Sequence, residues 1–315
     1  MNKIIILFLS WRILLVIIAA IAIKFVPLGS GDRFLGGGVL NYLFSPEVFA
    51  WANFDGEHYL AIAINGYKPL EQAFFPIYPI LISFFSKPFS YDPISTITVS
   101  TISGLLISNI AFIFSLIFLW ELVKIDFSKK IAFLTLIVLL VFPTSFYFGA
   151  VYSESIFLLF SILSFYCARK GHWFLAAAFG IISSATRVFG VILLPALLVE
   201  VVKQKAPFYR AFWIIFIPLG LIGYMFYQFL TVGDPLAFYN LQELVGEQHQ
   251  SGIILLPQVY FRYIKMLLTV DIHNPIYQTI VLEFAVGIAF FLLPIYGYFK
   301  KIRLSYLIYA MLAFL

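Results

Sequence analysis

Long apolar segments separated by short basic clusters constrain this chain more than any other feature of its sequence. The chain is 63% hydrophobic and only 11% charged over 315 residues, which is more apolar surface than a soluble domain of this size can bury. A membrane-spanning helix requires about 20 consecutive apolar residues. The sequence therefore predicts an all-α fold, a polytopic transmembrane helical bundle that forms one domain over residues 1–315.

Nine apolar segments are candidate spans, and the last of them is still apolar where the sequence stops at Leu315. Since this final segment is shorter than a span, we expect further C-terminal helices beyond it. The first segment carries one lysine and no small-residue cleavage site, so we interpret it as an uncleaved signal anchor. The candidate spans are 4–23, 96–120, 131–148, 155–168, 173–184, 188–202, 211–230, 276–299 and a segment from 304.

The basic residues predict the orientation, because loops rich in Lys and Arg stay in the cytoplasm. This orientation makes residues 24–94 the first outer loop and 231–275 a second large outer segment. It requires that 74–85, which is short and contains Pro76 and Pro79, forms a re-entrant or interfacial helix instead of a span. The four basic clusters are Lys124/Lys129/Lys130, Arg169/Lys170, Lys203/Lys205/Arg210 and Lys300/Lys301/Arg303.

Several classes of protein and site are disfavoured by residue usage. The basic residues lie in short clusters between apolar runs, so we expect no nucleic-acid partner. The single Cys167 excludes an intrachain disulfide and a cysteine-based metal site. The four histidines are scattered, and no Walker, His-Glu-x-x-His or Gly-x-Ser-x-Gly motif occurs.

The polar motif 54–59, read Phe-Asp-Gly-Glu-His-Tyr, is the first candidate site of chemistry. Apolar and aromatic residues through Tyr67 recur at helical spacing, which predicts a short amphipathic helix along the outer interface. Asp55 and Glu57 would then lie at its N-terminus, where free N–H groups and the helix dipole favour carboxylates. A helix-capping role for Asp55 and a chemical role account for the motif equally well.

A second pair of charges lies farther along the chain. Glu154 follows Tyr152 at the start of a predicted span, where an acid also suits ordinary capping. Arg187 stands almost alone among about 30 apolar residues, and an arginine at membrane depth pairs with an acid or a phosphate. Glu154 is the obvious structural partner, so an ion pair within the fold and a ligand site both remain open.

The second outer segment carries a further polar motif. Asp234 and Pro235 open a turn, and the polar residues that follow, including Gln242, suit a loop that binds a sugar or a lipid headgroup. Arg262 and Lys265 lie among aromatic residues, where they either hold an anionic lipid head or extend to the membrane surface.

These motifs together resemble the PIG-V (GPI mannosyltransferase 2) family of the GT-C superfamily of polytopic glycosyltransferases. The similarity runs in order from about residue 51 to 250, and each motif alone is weak. The motifs are Trp-Ala-Asn-Phe-Asp-Gly-Glu-His-Tyr from Trp51, Ala-Phe-Phe-Pro-Ile-Tyr-Pro from Ala73, Phe142-Pro143, Tyr-Ser-Glu-Ser from Tyr152, Ala-Thr-Arg ending at Arg187, and Gly-Asp-Pro-Leu-Ala-Phe-Tyr from Gly233.

The resemblance implies transfer of a sugar, by default mannose, from a polyprenyl- or dolichyl-phosphate donor to a glycolipid or glycan acceptor, with inversion of the anomeric centre. The catalytic acid of such enzymes lies in the first outer loop, and Asp55 matches it. Arg187 is the candidate phosphate ligand, and a divalent cation is compatible with the family although no residue pattern here requires one. The remaining candidate substrate-binding residues are Glu57, His58, Tyr59, Tyr152, Glu154, Asp234 and Gln242.

The chain departs from the eukaryotic members of the family, which are larger and act on GPI anchors. A compact chain of this kind is expected to be prokaryotic, with its active site on the outer face of the plasma membrane, so the family name does not give the acceptor. Two other functions remain: a lipid or small-solute transporter, and a non-catalytic subunit of a membrane transferase. A transporter would more often show inverted repeats and broken helices with charges near the midplane.

Overall fold

The computed structural model describes residues 2–26, 39–241 and 255–315, and these residues form helices without any strand. Short 3-10 segments connect several of the helices, at Ala50–Ala52, Glu71–Ala73, Lys87–Phe89, Pro143–Gly149, Val188–Ile192 and Phe212–Phe216. The α-helices are α1 (Asn2–Phe25), α2 (Val39–Phe44), α3 (Pro46–Phe49), α4 (Asp55–Asn65), α5 (Ile77–Ser86), α6 (Pro93–Val123), α7 (Lys129–Val141), α8 (Glu154–Arg169), α9 (Trp173–Thr186), α10 (Leu193–Gln204), α11 (Phe208–Ala211), α12 (Leu219–Val232), α13 (Ala237–Asn240), α14 (Leu256–Thr269), α15 (Pro275–Phe299) and α16 (Leu304–Phe314).

Four helical stretches of the described residues are long and apolar enough to cross a membrane. They are α1, α6, the combined stretch Phe208–Val232 and α15, with 24, 31, 25 and 25 residues. At a rise of 1.5 Å per residue, even the shortest of them exceeds the hydrocarbon thickness of about 30 Å. The prediction of an all-α polytopic bundle is confirmed.

The predicted span 131–148 is not one straight helix, because the chain bends by 88° between α7 and the segment Pro143–Gly149, which makes it a broken span or a re-entrant segment. Phe142 has extended backbone angles (φ −61°, ψ 133°) directly before Pro143. A proline ring clashes with an α-helical conformation of the residue that precedes it, so the helix ends there. The apolar segment 188–202 begins as a 3-10 turn that continues directly into α10.

Helix α6 is the longest element, and it packs against α5, α7 and α8. Asp92 caps its first turn by accepting the N–H groups of Ile94 and Ser95 at 3.0 and 3.1 Å, and the Ser95 hydroxyl in turn accepts the N–H of Asp92. This reciprocal capping box, with Pro93 at the first helical position, fixes where α6 begins. Hydrogen bonds from Ser95 lower the pKa of the exposed Asp92 carboxyl.

The short helices before α6 are too short to span a membrane, as predicted for 74–85. Helix α4 begins at Asp55, where the sequence predicted an amphipathic helix, but it ends at Asn65 and excludes Tyr67. Gly66 is responsible, because its φ of 77° lies in the left-handed region that terminates helices. The Tyr67 hydroxyl instead donates to the carbonyl of Phe74 at 2.8 Å.

The buried apolar residues form three clusters that all include or border α6. One joins α1, α6 and α7 around Phe112; one joins α4, α5 and α6 around Tyr78; and one joins α8, α9 and α10 around Leu197. Helices α6, α8 and α10 end next to residues 124–130, 169–172 and 203–210, whereas α9 begins next to the second of these clusters. We call the end of the bundle formed by residues 124–130, 169–172, 203–210 and 300–303 the basic face.

Candidate active site

The N-terminus of α4 is held against the turn that precedes α8. The backbone N–H of Val151 donates to the carbonyl of Trp51 at 2.8 Å, and the Tyr152 hydroxyl donates to the carbonyl of Asn53 at 2.9 Å. Gly56 permits this approach, because a Cβ at that position would stand 3.1 Å from the carbonyl oxygen of Val151. Two motifs far apart in the sequence are thus joined at one place.

Tyr59 strengthens the same junction from the next turn of α4. Its hydroxyl shares a 2.8 Å hydrogen bond with the hydroxyl of Ser153, and both residues are buried. Burial raises the pKa of the Tyr59 hydroxyl, while the charge of Arg187 lowers it and the charges of Glu154 and Asp55 raise it. Tyr59 therefore stays protonated, and its surroundings contain one cation and two carboxylates.

Asp55 projects from the first position of α4, but it does not cap the helix. Phe54 is the N-cap residue, and no side chain provides a capping hydrogen bond. Within the described ranges the Asp55 carboxylate forms no hydrogen bond or ion pair, and its side chain is exposed. Phe54 has φ 58°, an unfavourable conformation for an aromatic residue, and such strained positions concentrate at functional sites. The capping interpretation of Asp55 is therefore not supported.

Glu154 and Arg187 form an ion pair, with 2.5 Å between Oε1 and Nη1. Glu154 lies in the first turn of α8, and Arg187 follows the last residue of α9, so the pair closes the same end of two packed helices. About a quarter of the Glu154 side chain and a third of the Arg187 side chain are exposed. The second carboxylate oxygen of Glu154 is buried without a hydrogen-bond partner among the described residues.

The backbone at Arg187 is shaped by Gly190. Arg187 is extended (φ −154°, ψ 146°), and the N–H of Gly190 donates to its carbonyl at 2.9 Å. This turn folds back on α9 so closely that a Cβ on Gly190 would collide with the backbone of Ser183 and Ser184. The glycine thereby allows the guanidinium of Arg187 to reach the pocket next to α4.

Asp55, Tyr59 and Arg187 line one cavity of about 520 Å³, which we call the acid–arginine cavity. It therefore combines a solvent-exposed carboxylate, a protonated hydroxyl and a guanidinium. The rest of its wall is largely aromatic, and comes from the segment before α5, the turn after α9 and α13. The further lining residues are Ala73, Phe74, Phe75, Thr186, Val188, Phe189, Phe238 and Tyr239.

An apolar groove of about 610 Å³ adjoins this cavity and shares Arg187 and Phe189 with it. Its walls come from α6, α8 and α16, and its polar residues are few. Glu154 borders the groove next to Arg187, while Phe127 and Tyr306 lie toward the basic face. Arg187 thus stands where a polar chamber meets a channel suited to an alkyl chain.

The other predicted site residues that the structure describes do not line the acid–arginine cavity. Glu57 and His58 line a separate polar cavity of about 760 Å³, and the His58 ring stacks on Phe74 at 4.6 Å between centroids. Asp234 borders a third cavity and accepts the side-chain amide of Asn240 at 2.7 Å. Tyr152 supports the backbone of the α4 junction, and Gln242 lies outside the described residues.

No group of three His, Cys, Asp or Glu side chains in the described parts of the chain is arranged to hold a metal ion.

Several contributors to the site carry no signal in the sequence on their own. Ser153 and Phe189 lie next to the candidate residues Glu154 and Arg187 in the sequence. Their own contacts with the site depend on how the helices pack, which the sequence does not show. The apolar groove is invisible in the sequence, because its residues are ordinary members of apolar helices. The packing of α6, α8 and α16 around one space brings these residues together.

The fold and the long apolar helices define an integral membrane protein. The chain belongs to the mannosyltransferase (PIG-V) family, whose model matches residues 3–239. The resemblance found in the sequence is thereby confirmed, and the chain is a glycosyltransferase for which the family implies a lipid-linked sugar donor. Comparisons with curated proteins and with solved structures each gave no match.

Proposed function

We propose that this protein transfers mannose from a polyprenyl-phosphate donor to an acceptor hydroxyl, with inversion of the anomeric centre, and that Asp55 is the base. The observation that carries the proposal is that Asp55 and Arg187 line one cavity, while Arg187 also borders the apolar groove. A lipid-linked sugar is an anion between a sugar and a long apolar chain. The acid–arginine cavity, Arg187 and the apolar groove thus follow one another in the same order as the sugar, the phosphate and the lipid chain.

The reaction is a single displacement. The acceptor oxygen forms a bond to the anomeric carbon, the Asp55 carboxylate takes the hydroxyl proton, and the bond between the anomeric carbon and the phosphate oxygen breaks. The lipid phosphate leaves with the electron pair, and attack from the opposite side inverts the configuration. A positioned general base contributes about 10²–10⁴ in rate.

Arg187 stabilises the charge that develops on the departing phosphate. Its guanidinium has five N–H donors in a planar fork, so one edge can bind Glu154 while the other binds phosphate oxygens. The neutral Tyr59 hydroxyl is already engaged with Ser153 and holds the wall of the cavity. Because the donors are fixed before the reaction, little reorganisation is needed in the transition state.

The polyprenyl chain occupies the apolar groove in this proposal. Most residues of that groove are apolar or aromatic, among them Leu, Phe and Ile from α6 and α8 and the tyrosines of α16. A groove of this composition gains free energy from each buried methylene of the chain, about 0.8 kcal/mol. Short branched isoprenoid units fit between such side chains as they do in lipid.

The cavity faces the outside in this proposal, at a level below the membrane surface. Helices α8, α9 and α10 have 16, 14 and 12 residues. They are therefore about 18–24 Å long, which is shorter than the hydrocarbon core. Since their other ends lie at the basic face, which the positive-inside rule assigns to the cytoplasm, Glu154 and Arg187 are within reach of a phosphate at membrane depth.

The test is turnover of a radiolabelled donor by purified protein. Wild-type protein with polyprenyl-phosphate mannose and a cell-envelope glycolipid extract is expected to release polyprenyl phosphate and to form a product of inverted configuration. Asp55→Asn preserves the shape of the side chain and is expected to reduce release by about 100-fold or more. Glu47→Gln is the matched control, because Glu47 is an exposed acid on the nearby α3 that lines neither the cavity nor the groove.

Thermal unfolding of each variant separates lost chemistry from lost folding. Activity retained in Asp55→Asn would overturn the assignment of the base. Absence of release by wild-type protein with any lipid-linked sugar would instead favour a transporter or a non-catalytic subunit. A product that keeps the donor configuration would contradict the single displacement.

Orientation is tested by labelling engineered cysteines in intact cells, in a Cys167→Ser background. Lys68→Cys, near α4, is expected to react with an impermeant reagent added outside, and Lys129→Cys on the basic face is expected to react only after the cells are opened. Both lysines are exposed, so access depends on the side of the membrane alone. The reverse pattern would overturn the orientation.

A further inference from the structure

A cavity of about 690 Å³ opens at the basic face, far from Asp55 and Arg187. Its charged lining residues are Lys203 from α10, Lys301 and Arg303 from the turn between α15 and α16, and Asp126 from the loop after α6. Three cations and one acid therefore converge on one concavity. Its remaining lining residues are Phe127, Tyr298, Phe299, Ile302 and Leu304.

Two of these four charges are already compensated inside the protein. Arg303 binds both carboxylate oxygens of the fully buried Glu200, at 2.8 Å from Nε and 2.5 Å from Nη2 to its nearest oxygens. The Asp126 carboxylate accepts hydrogen bonds from both terminal nitrogens of Arg169. Lys203 and Lys301 form no ion pair with an acid in the described part of the chain, so the cavity keeps two uncompensated ammonium groups.

Three other lysines near this face have a partner within the protein. Lys124 pairs with Glu121 at 2.7 Å. Lys170 and Lys300 lie over the rings of Tyr166 and Tyr296. No such partner is present among the described residues for Lys129, Lys130 and Lys205, which are exposed as Lys203 and Lys301 are, but these three do not line the cavity.

The apolar part of the cavity distinguishes an amphiphilic ligand from a soluble ion. Tyr298 and Phe299 line it at the C-terminal end of α15 and are exposed by 64% and 75%. A soluble anion would gain nothing from these rings, whereas an acyl chain packs against them while its phosphate reaches the lysines. We propose that this cavity binds an anionic phospholipid from the leaflet at the basic face, with its phosphate between Lys203 and Lys301.

The backbone at Lys301 supports this placement of charge. Lys301 has φ 57°, and its N–H donates to Tyr298 while the N–H of Ile302 donates to Gly297, which ends α15 in a left-handed turn. The turn directs the chain into Arg303, whose guanidinium is fixed by Glu200. One wall of the cavity is therefore held in place by hydrogen bonds within the protein.

The test is native mass spectrometry of the full chain in detergent, titrated with phosphatidylglycerol or phosphatidylcholine. Wild-type protein is expected to retain phosphatidylglycerol in preference to phosphatidylcholine. Lys203→Gln/Lys301→Asn is expected to bind phosphatidylglycerol roughly tenfold more weakly, because each lysine near a lipid surface contributes to anionic affinity. Asparagine is chosen at 301 because it tolerates a positive φ.

Lys129→Gln/Lys130→Gln removes the same charge from the same face outside the cavity and is expected to leave the preference unchanged. Equal loss in this control would overturn the proposal in favour of general attraction to the basic face. An unaffected Lys203→Gln/Lys301→Asn variant would overturn it as well. Displacement of phosphatidylglycerol by millimolar inorganic phosphate would show a site for soluble anions and would reject the lipid as its occupant.

Discussion

Glu154 and Arg187 form a 2.5 Å ion pair that joins the first turn of α8 to the residue after α9. The pair lies between two chambers, because Arg187 lines both the acid–arginine cavity and the apolar groove. The sequence left two alternative roles open for Arg187, a structural ion pair with Glu154 and a phosphate ligand. The geometry makes them compatible, since an arginine held by Glu154 keeps other N–H groups for a ligand.

This dual role predicts different effects on folding and on activity. Arg187→Gln leaves Glu154 without its partner and is expected to destabilise the protein by about 1–2 kcal/mol, a value reduced for partial exposure. In the proposed mechanism the leaving phosphate also loses its cation, so turnover is expected to fall by about 100-fold or more. Adding Glu154→Gln should restore the melting temperature, since the unpaired charge is gone, but not turnover.

The comparison requires melting temperatures and initial rates for both single variants and for the double variant. If the double variant regained both stability and activity, Arg187 would serve the fold alone. If Glu154→Gln alone abolished turnover while Arg187→Gln did not, the roles of the two residues would be reversed.

Gly190 provides a second prediction, because it lies where the turn after Arg187 touches α9. A Cβ there would overlap the backbone of Ser183 and Ser184, so Gly190→Ala is expected to push the turn away from α9 and to cost about 1–3 kcal/mol. Turnover should fall with stability, since Arg187 moves with the turn. Thermal unfolding and initial rates measure both effects.

Gly223→Ala is the matched control, because a Cβ at Gly223 would meet nothing within 4 Å in the described structure. Gly223 lies inside α12, where alanine is the better helix former by roughly 1 kcal/mol. Gly223→Ala should therefore leave the protein as stable as the wild type or more stable. Equal losses in both variants would mean that tight packing at Gly190 is not the cause.

The main helices and the candidate site residues could be predicted from the sequence, but the way in which they pack together could not. Apolar length was sufficient to predict α1, α6 and α15, and the Asp55 motif was correctly predicted to begin a helix. The bend at Pro143 was missed, because hydropathy continues unchanged through a change of backbone direction. Whether Asp55 capped its helix depended on a hydrogen bond that sequence spacing does not determine.

The separation of the polar residues into different cavities also required the structure. Glu57 lies two positions after Asp55, yet a helix turns about 100° per residue, so the two carboxylates point in different directions. Glu57 consequently lines the cavity that also contains His58. Adjacency in the sequence was a poor guide to adjacency in the site.

The basic face contains a buried acid that the charge pattern did not reveal. Glu200 is fully buried within α10. Its carboxylate accepts hydrogen bonds from Arg303, Ser305 and Gln204 and forms an ion pair with Arg169. The positive-inside rule counts only Lys and Arg, so it gave no reason to predict that Glu200 pairs with two arginines. This network joins α8, α10 and α16, and α16 forms one wall of the apolar groove.

A third prediction compares Glu200 with an acid in an exposed pair. Glu200→Gln leaves Arg169 and Arg303 without their shared carboxylate and is expected to cost about 3 kcal/mol, because breaking a buried ion pair exposes an uncompensated charge. Glu121→Gln removes the exposed partner of Lys124, and a change of about 0.5 kcal/mol or less is expected. Thermal unfolding in the same detergent measures both, and similar shifts for the two variants would contradict the structural role of Glu200.

A fourth prediction concerns the dependence of stability on pH through Asp126, which lies in the loop between α6 and α7. Burial raises the pKa of this carboxyl, but the hydrogen bonds and charge of Arg169 lower the pKa further, so the folded value lies below the usual one. Such a carboxyl stabilises the fold above its unfolded pKa of about 3.9 and loses that contribution as pH falls through the folded value. Asp126→Asn is therefore expected to destabilise the protein by about 1 kcal/mol at pH 7, and the difference from wild type should shrink below about pH 4. Thermal unfolding of both proteins between pH 3 and 7 measures the difference, and a gap that stays constant over this range would mean that Asp126 stabilises the fold through shape alone.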